Sequence, residues 1–107
     1  MKCKLIKTEG LIKYYGYFDG ETKIARCLVK EKTHGVKGSY SLEGVFIEPE
    51  YRGRGLCTKF LECIMKKYKE TIFLNVLQTN EPAIKCYTKL GFKEIDKGRS
   101  TLYMRKN

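Results

Sequence analysis

The sequence predicts a mixed α/β (α+β) domain whose sheet is mostly antiparallel but carries a central parallel βαβ pair. Three observations lead there. The first forty residues read as a β meander, residues 45–77 read as strand, amphipathic helix, strand, and residues 92–104 read as a closing hairpin. At 107 residues the chain is one domain, 1–107, with enough length for a single core and none for a second module.

The meander consists of KCKLIK, IKYYGYF and KIARCLVKE, separated by turn material at Thr8-Glu9-Gly10 and at Phe18-Asp19-Gly20-Glu21. Asp19-Gly20 between Tyr- and Ile-containing runs is a hairpin signal. After the glycine-bordered THGVKG, the run SYSLEGVFIE predicts a strand with Leu42, Gly44 and Phe46 facing one way and Glu43, Val45 and Ile47 the other. Its apolar end, Val45-Phe46-Ile47, implies burial on both faces, and Gly44 marks a bulge or a close approach of another backbone.

From Gly55 to Tyr68, Leu56, Phe60, Leu61, Ile64, Met65 and Tyr68 recur at three- and four-residue spacing, with Lys59, Glu62, Lys66 and Lys67 between them. That spacing predicts an amphipathic helix lying on a sheet. TIFLNVL, residues 71–77, follows as a buried strand, which completes a right-handed crossover unit. Asn80 can cap a second helix whose early Pro82 sacrifices no hydrogen bond, and Gly91 can end it in the left-handed conformation. Two short strands joined at Lys97-Gly98 close the chain.

Composition narrows the function classes. A 42% hydrophobic share with eight Tyr and five Phe belongs to a packed protein despite 32% charged residues. No apolar run approaches a membrane span, and the start lacks the apolar stretch of a secretory leader, so a cytoplasmic protein is expected. Five cysteines, Cys3, Cys27, Cys57, Cys63 and Cys86, are an odd count without a CxxC pair, which points to free thiols and away from a zinc site or disulfide framework. His34, the single histidine, has no second histidine for a metal site and reads as a solvated loop residue. No metal is expected. The net charge of +10 draws polyanions or a phosphorylated ligand without choosing among them.

The chemistry concentrates where the strand Val45-Phe46-Ile47 runs through Glu48-Pro49-Glu50-Tyr51 into Arg52-Gly53-Arg54-Gly55 and a helix begins. Glycines there permit successive amides to converge on one anion, and the first turn of a helix leaves its N–H groups unpaired. Arg52 and Arg54 add forked donors suited to phosphate oxygens. A Walker loop is excluded because no Gly-Lys-Ser/Thr follows, and a dinucleotide fingerprint lacks its third glycine and its acidic residue.

Pro49 to Gly55, reading PEYRGRG, resembles the phosphate-binding motif of the acetyl-CoA-dependent N-acetyltransferases of the GNAT superfamily. Cys57 departs from that motif, which carries Gly or Ala at its last position. A second stretch, Asn80, Ala83 and Tyr87 followed by Leu90-Gly91-Phe92, resembles the family's later motif, in the expected order. The resemblance runs from Leu42 to about Lys93 and implies the GNAT-like sheet, with helices reduced at the N-terminus. It implies that Arg52, Gly53, Arg54, Gly55, Leu56, Cys57 and Thr58 hold the pyrophosphate of acetyl-CoA, the cosubstrate. Phe46 and Ile47 would offer backbone groups to the pantetheine arm, Asn80 would hydrogen-bond it, and Ala83 would leave it room. Tyr87 would protonate the departing thiolate.

For residue type alone, Asn80 can be only a cap and Tyr87 only a core aromatic. Glu43 and Glu48 are the candidate bases for the incoming amine. Cys57 and Cys86 lack a histidine to activate either as a nucleophile. The expected partners are acetyl-CoA and an amine acceptor. The absent early helices leave the acceptor side open or completed by a second subunit, so a homodimer is possible. The alternative readings are a basic nucleic-acid-binding module, which no RNA-binding strand motif or recognition helix supports, and a non-catalytic CoA-binding regulator on the same fold; no membrane partner is expected.

Overall fold

The computed structural model describes residues 1–32 and 38–107, so His34 lies outside the described residues. The strands are β1 (Lys2–Glu9), β2 (Ile12–Asp19), β3 (Thr22–Glu31), β4 (Tyr40–Ile47), β5 (Ile72–Leu77), β6 (Lys93–Lys97) and β7 (Thr101–Lys106). The helices are α1 (Leu56–Met65) and α2 (Glu81–Lys89), with a single 3-10 turn at Pro49–Tyr51. The strands form one sheet in the order β1-β2-β3-β4-β5-β7-β6. Every neighbouring pair is antiparallel except β4–β5, which is parallel.

Local chemistry accounts for most element ends. The β1–β2 and β2–β3 hairpins close over Gly10-Leu11 and Gly20-Glu21, with the glycine at the first central position and φ of 57° and 61°. Asn80 caps α2 by accepting a hydrogen bond from the Ala83 N–H at 3.3 Å. Gly91, at φ 99°, turns the chain out of that helix. The helix expected from Gly55 to Tyr68 is shorter at its far end. It stops at Met65, and Tyr68 in the following turn instead hydrogen-bonds the Tyr15 hydroxyl at 2.6 Å.

The parallel pairing of β4 with β5 covers only Tyr40–Ile72 and Ser41–Phe73, although both strands continue. Beyond those residues the strands part, opening a wedge at their C-terminal ends. On its other side β4 spends four residues, Glu43 to Phe46, where β3 spends three, Leu28 to Arg26. That is a bulge, and Gly44 sits in it at φ 60°.

The bulge corrects the facing expected from strict alternation. Leu42 shares a face with Val45 and Ile47, which lie against the core. Phe46 faces the opposite way, paired with Arg26, and Glu43 is exposed. Burial on both faces does not follow either, because Val45, Phe46 and Ile47 are each only half-buried.

One face of the sheet carries the core. Phe60 of α1 is fully buried and stacks on Tyr17 of β2, ring centroids 5.2 Å apart. Alternate residues of β5, Ile72, Leu74 and Val76, are buried with Leu102 and Met104 of β7. Cys3 of β1 and Cys63 of α1 are joined by a disulfide, which corrects the expectation of five free thiols. Cys27, Cys57 and Cys86 are free. Two cysteines separated by 60 residues carry no local signature, so only tertiary structure pairs them. A loop of that length gives a crosslink worth about 4 kcal/mol on chain-entropy grounds.

No described helix covers the other face, which is basic and aromatic. Lys4 lies over Phe18 at 5.1 Å, Lys7 over Tyr14 at 4.7 Å, Arg26 over Phe46 at 4.7 Å and Lys32 over Phe73 at 4.5 Å.

Candidate active site

The wedge between β4 and β5 opens into a groove of about 610 Å³ bounded by the end of β4, the Arg52–Gly55 turn, the first turn of α1 and one side of α2. The chain leaves β4 through Glu48 and the Pro49–Tyr51 turn. The Arg52 Nε donates to the Ile47 carbonyl at 2.8 Å, tying the turn back to the strand it follows. Gly53 and Gly55 adopt φ of 76° and 72°, and a Cβ at either would meet nothing within 4 Å, so the space above them is open.

Gly55 is the N-cap of α1 and supplies no side-chain cap. The first-turn amides of α1 therefore lack the side-chain acceptor that Asn80 provides in α2, and they keep the partial positive charge of a helix start. Phosphate oxygens suit such a cradle.

Of the residues singled out in the sequence, Phe46, Ile47, Arg52, Gly53, Gly55, Leu56, Cys57, Thr58, Asn80, Ala83 and Tyr87 line the groove. Arg54 is outside it, its guanidinium 5.2 Å from the Tyr51 ring centroid. Glu43 and Glu48 are outside it as well. Glu43 accepts a hydrogen bond from the Ser41 hydroxyl at 3.0 Å on the exposed sheet face, and the Glu48 N–H donates to the Ile24 carbonyl at 2.9 Å.

Val45, Tyr51, Pro82, Lys85, Cys86 and Lys89 line the groove without having been singled out as site residues. Lys85 and Lys89, four apart on α2, share a helix face, and that spacing is the signal that could have found them. They add positive charge beside the α1 cradle.

Tyr87 is 7% exposed and sits edge-on to Phe92, ring centroids 6.0 Å apart. Burial pushes its phenol up from the ordinary tyrosine value, with the nearby Cys57 sulfur a further cause. The group therefore stays protonated across neutral pH, with a proton to give and no role as a base there. Cys57 and Cys86 place their sulfurs 2.7 Å apart where α1 and α2 meet. Their hydrogen bond drives the pair apart in acidity, Cys57 upward with burial adding to it, and Cys86 downward. For Cys86 the Thr58 hydroxyl and the Lys89 charge reinforce the fall, and burial opposes it.

The chemistry available is anion binding at one end of the groove and proton donation at Tyr87, with no carboxylate among the described lining residues. The sequence model of the Acetyltransferase (GNAT) family matches residues 4–92, well beyond the stretch that carries the motifs. An N-alpha-acetyltransferase of Saccharolobus solfataricus is 45% identical over 51 residues, covering 43% of this chain and 30% of that protein. One of Sulfurisphaera tokodaii is 43% identical over the same shares of each chain. The matched stretch thus takes in under a third of those relatives' length.

Among solved structures, the PaiA N-acetyltransferase of Thermoplasma acidophilum in complex with coenzyme A superposes with a TM-score of 0.74 at 28% identity, over 90% of this chain and 60% of that one. The N-acetyltransferase PseH of Campylobacter jejuni in complex with acetyl coenzyme A gives 0.72 at 22%, over 92% and 70%. The second likeness bears on the fold alone. With a family match over most of its length and a splayed sheet of the same architecture, this chain belongs to the GNAT acetyltransferase family.

Proposed function

We propose that the chain moves an acetyl group from acetyl-CoA directly to a primary amine in a ternary complex. The observation that carries this reading is the uncapped start of α1, which opens into the same groove that Tyr87 lines. Arg52, Gly53, Gly55, Leu56, Cys57 and Thr58 hold the pyrophosphate, with Arg54 reaching it from the rim. Phe46 and Ile47, on the edge of β4 that has parted from β5, offer backbone groups to the pantetheine arm. Asn80 and Ala83 flank that arm. Tyr87 gives its proton to the thiolate as the acetyl group leaves, an acid whose value rests on distance because a phenol is weaker than the thiol it forms. Positioning and a polarised carbonyl supply the remainder.

The acceptor class follows from the groove's lining. An α-amino group titrates near 7.7–8.0 and is partly neutral at physiological pH, whereas a lysine side chain near 10.4 needs a base. A groove with no carboxylate among its described lining residues suits the former, as does the name N-alpha-acetyltransferase of the two relatives. Glu43 and Glu48 stand back from the groove and would act only through water. The compartment this reading expects is the cytoplasm, and a second copy could complete the open acceptor side. A monomeric mass in solution would remove that copy.

Calorimetric titration with acetyl-CoA at moderate salt tests the reading. Saturable binding in the micromolar range supports it, and no detectable heat or binding removes it.

One observation favours a second reading, a basic nucleic-acid-binding module on the same fold. The uncovered sheet face presents Tyr14, Phe18, Phe46 and Phe73 beside Lys and Arg, the combination that stacks bases and follows a phosphate backbone. Single-stranded RNA bound with a steep salt slope, and no binding of CoA, would favour it.

A further inference from the structure

Two thiol groups in the groove are unused by the transfer chemistry, although the backbone of Cys57 belongs to the pyrophosphate cradle. Cys57 lies in the first turn of α1 and Cys86 in α2, their sulfurs are 2.7 Å apart, and both line the groove. A disulfide bond is about 2.05 Å long, so closing one requires the sulfurs to approach by less than an ångström. Cys27, the third free thiol, is buried and lines none of it. Cys86 is 6% exposed and belongs to the core, with Cys57 packed against it, so the contact sits where the core meets the groove. The pair joins two helices at the edge of an open groove, and Cys57 remains partly exposed.

We propose that Cys57 and Cys86 form a redox-active dithiol whose substrate is a low-molecular-weight disulfide, and that its oxidation locks the start of α1 and thereby weakens acetyl-CoA binding. The chemistry is thiol–disulfide exchange. The Cys86 thiolate attacks one sulfur of the small disulfide, the bond between its two sulfurs breaks, and the first small thiolate leaves and takes a proton from water. Cys57 then loses its proton to solvent and attacks the Cys86 sulfur, forming the Cys57–Cys86 bond and expelling the second small thiol. Two protein thiols are oxidised and one small disulfide is reduced to two thiols, so electrons balance.

The surroundings fit the order of events. The Thr58 hydroxyl points at Cys86 Sγ from 3.8 Å and the Lys89 charge lies near it, both of which favour a thiolate at Cys86 over one at Cys57. Cys57, its sulfur 2.7 Å away, is then placed to resolve the mixed disulfide. Closing the bond would fix the first turn of α1, whose unpaired amides form the phosphate cradle, to α2, so that the cradle could no longer adjust to an entering pyrophosphate. The gating consequence rests on the acetyl-CoA reading above, whereas the thiol chemistry does not.

The test treats the reduced protein with oxidised glutathione or CoA disulfide, quenches with acid, alkylates and digests with trypsin. Peptides 55–59 and 86–89 are expected joined, two hydrogens lighter than their sum. Acetyl-CoA affinity of the oxidised protein is expected to fall at least about 100-fold and to return with dithiothreitol. In Cys86→Ser, and in Cys57→Ser if the first fails to fold, oxidation should leave that variant's own affinity unchanged.

Failure to join the two peptides under an oxidant that re-forms the Cys3–Cys63 bond would overturn the proposal. Joined peptides with unaltered acetyl-CoA affinity would overturn the gate. If the reduced protein binds no acetyl-CoA, the acetyltransferase reading and the gate fall together, and the joined peptides alone then decide the dithiol.

Discussion

Arg52 donates its Nε hydrogen to the carbonyl of Ile47 at 2.8 Å, so the arginine that opens the phosphate turn is bonded to the strand end preceding it. Its guanidinium also lies 5.2 Å from the Phe46 ring centroid. One edge of the fork holds the turn while the outer nitrogens remain for a ligand. Truncating it removes a charge-assisted bond and a ligand contact together. Arg52→Ala is expected to weaken acetyl-CoA binding by about 2 kcal/mol, roughly 30-fold, by calorimetry. Arg52→Lys keeps the charge but neither the fork nor the flat stack, and should recover less than half of that loss.

What the sequence made legible is what local chemistry decides. The cap at Asn80, the hairpin at Gly20, the helix exit at Gly91 and the turn at Gly53 and Gly55 each answer to one or two residues, and so could be read along the chain. Gly44 marks its bulge, yet strict alternation puts the end of β4 on the wrong face, because a single extra residue reverses the facing of all that follows. Contacts between distant segments left no such trace. Cys3 meets Cys63, and Cys57 meets Cys86, only because β1 and α2 each pack against α1. Lys85 and Lys89 reach the groove for the same reason.

Tyr87 offers a test that separates chemistry from packing. Its ring fills space beside Phe92, which phenylalanine would also fill, so Tyr87→Phe deletes little beyond the hydroxyl. Turnover should fall about 100-fold or more, within the range of a general acid, with the acetyl-CoA dissociation constant held within about threefold. Equal losses in both would assign the residue to packing.

Gly55 separates backbone strain from occlusion. At φ 72°, an alanine pays about 1–2 kcal/mol for the left-handed conformation but meets no atom of the protein within 4 Å. Gly10, at φ 57° in the β1–β2 hairpin and equally open, is the matched control. Gly10→Ala and Gly55→Ala should lower urea-unfolding stability by similar amounts. Only Gly55→Ala should weaken acetyl-CoA binding, about tenfold or more, since its methyl would occupy the cradle. Equal affinities would remove the turn from the binding site.

Cys27 contributes to the loss of stability on the alkaline side. Burial pushes its thiol from 9.0 up to about 12, so between those values the folded state keeps a proton that the unfolded chain has released. Where the folded state binds more protons, stability falls as pH rises. This contribution is therefore complete below pH 9 and lost by about pH 12, on the order of 4 kcal/mol across the window. Tyr68 and Tyr87 are also raised, but from 10.0, so they join the decline later. Cys57 is raised from the same starting value of 9.0 and joins Cys27 in the early decline, whereas Cys86 is shifted downward. Urea unfolding at a series of pH values should show a plateau to pH 9 and then a fall. Cys27→Ala should be less stable at neutral pH through its cavity, yet decline less steeply between pH 9 and 10, before the tyrosines contribute. Parallel slopes for the two proteins in that interval would show that Cys27 does not carry the early loss.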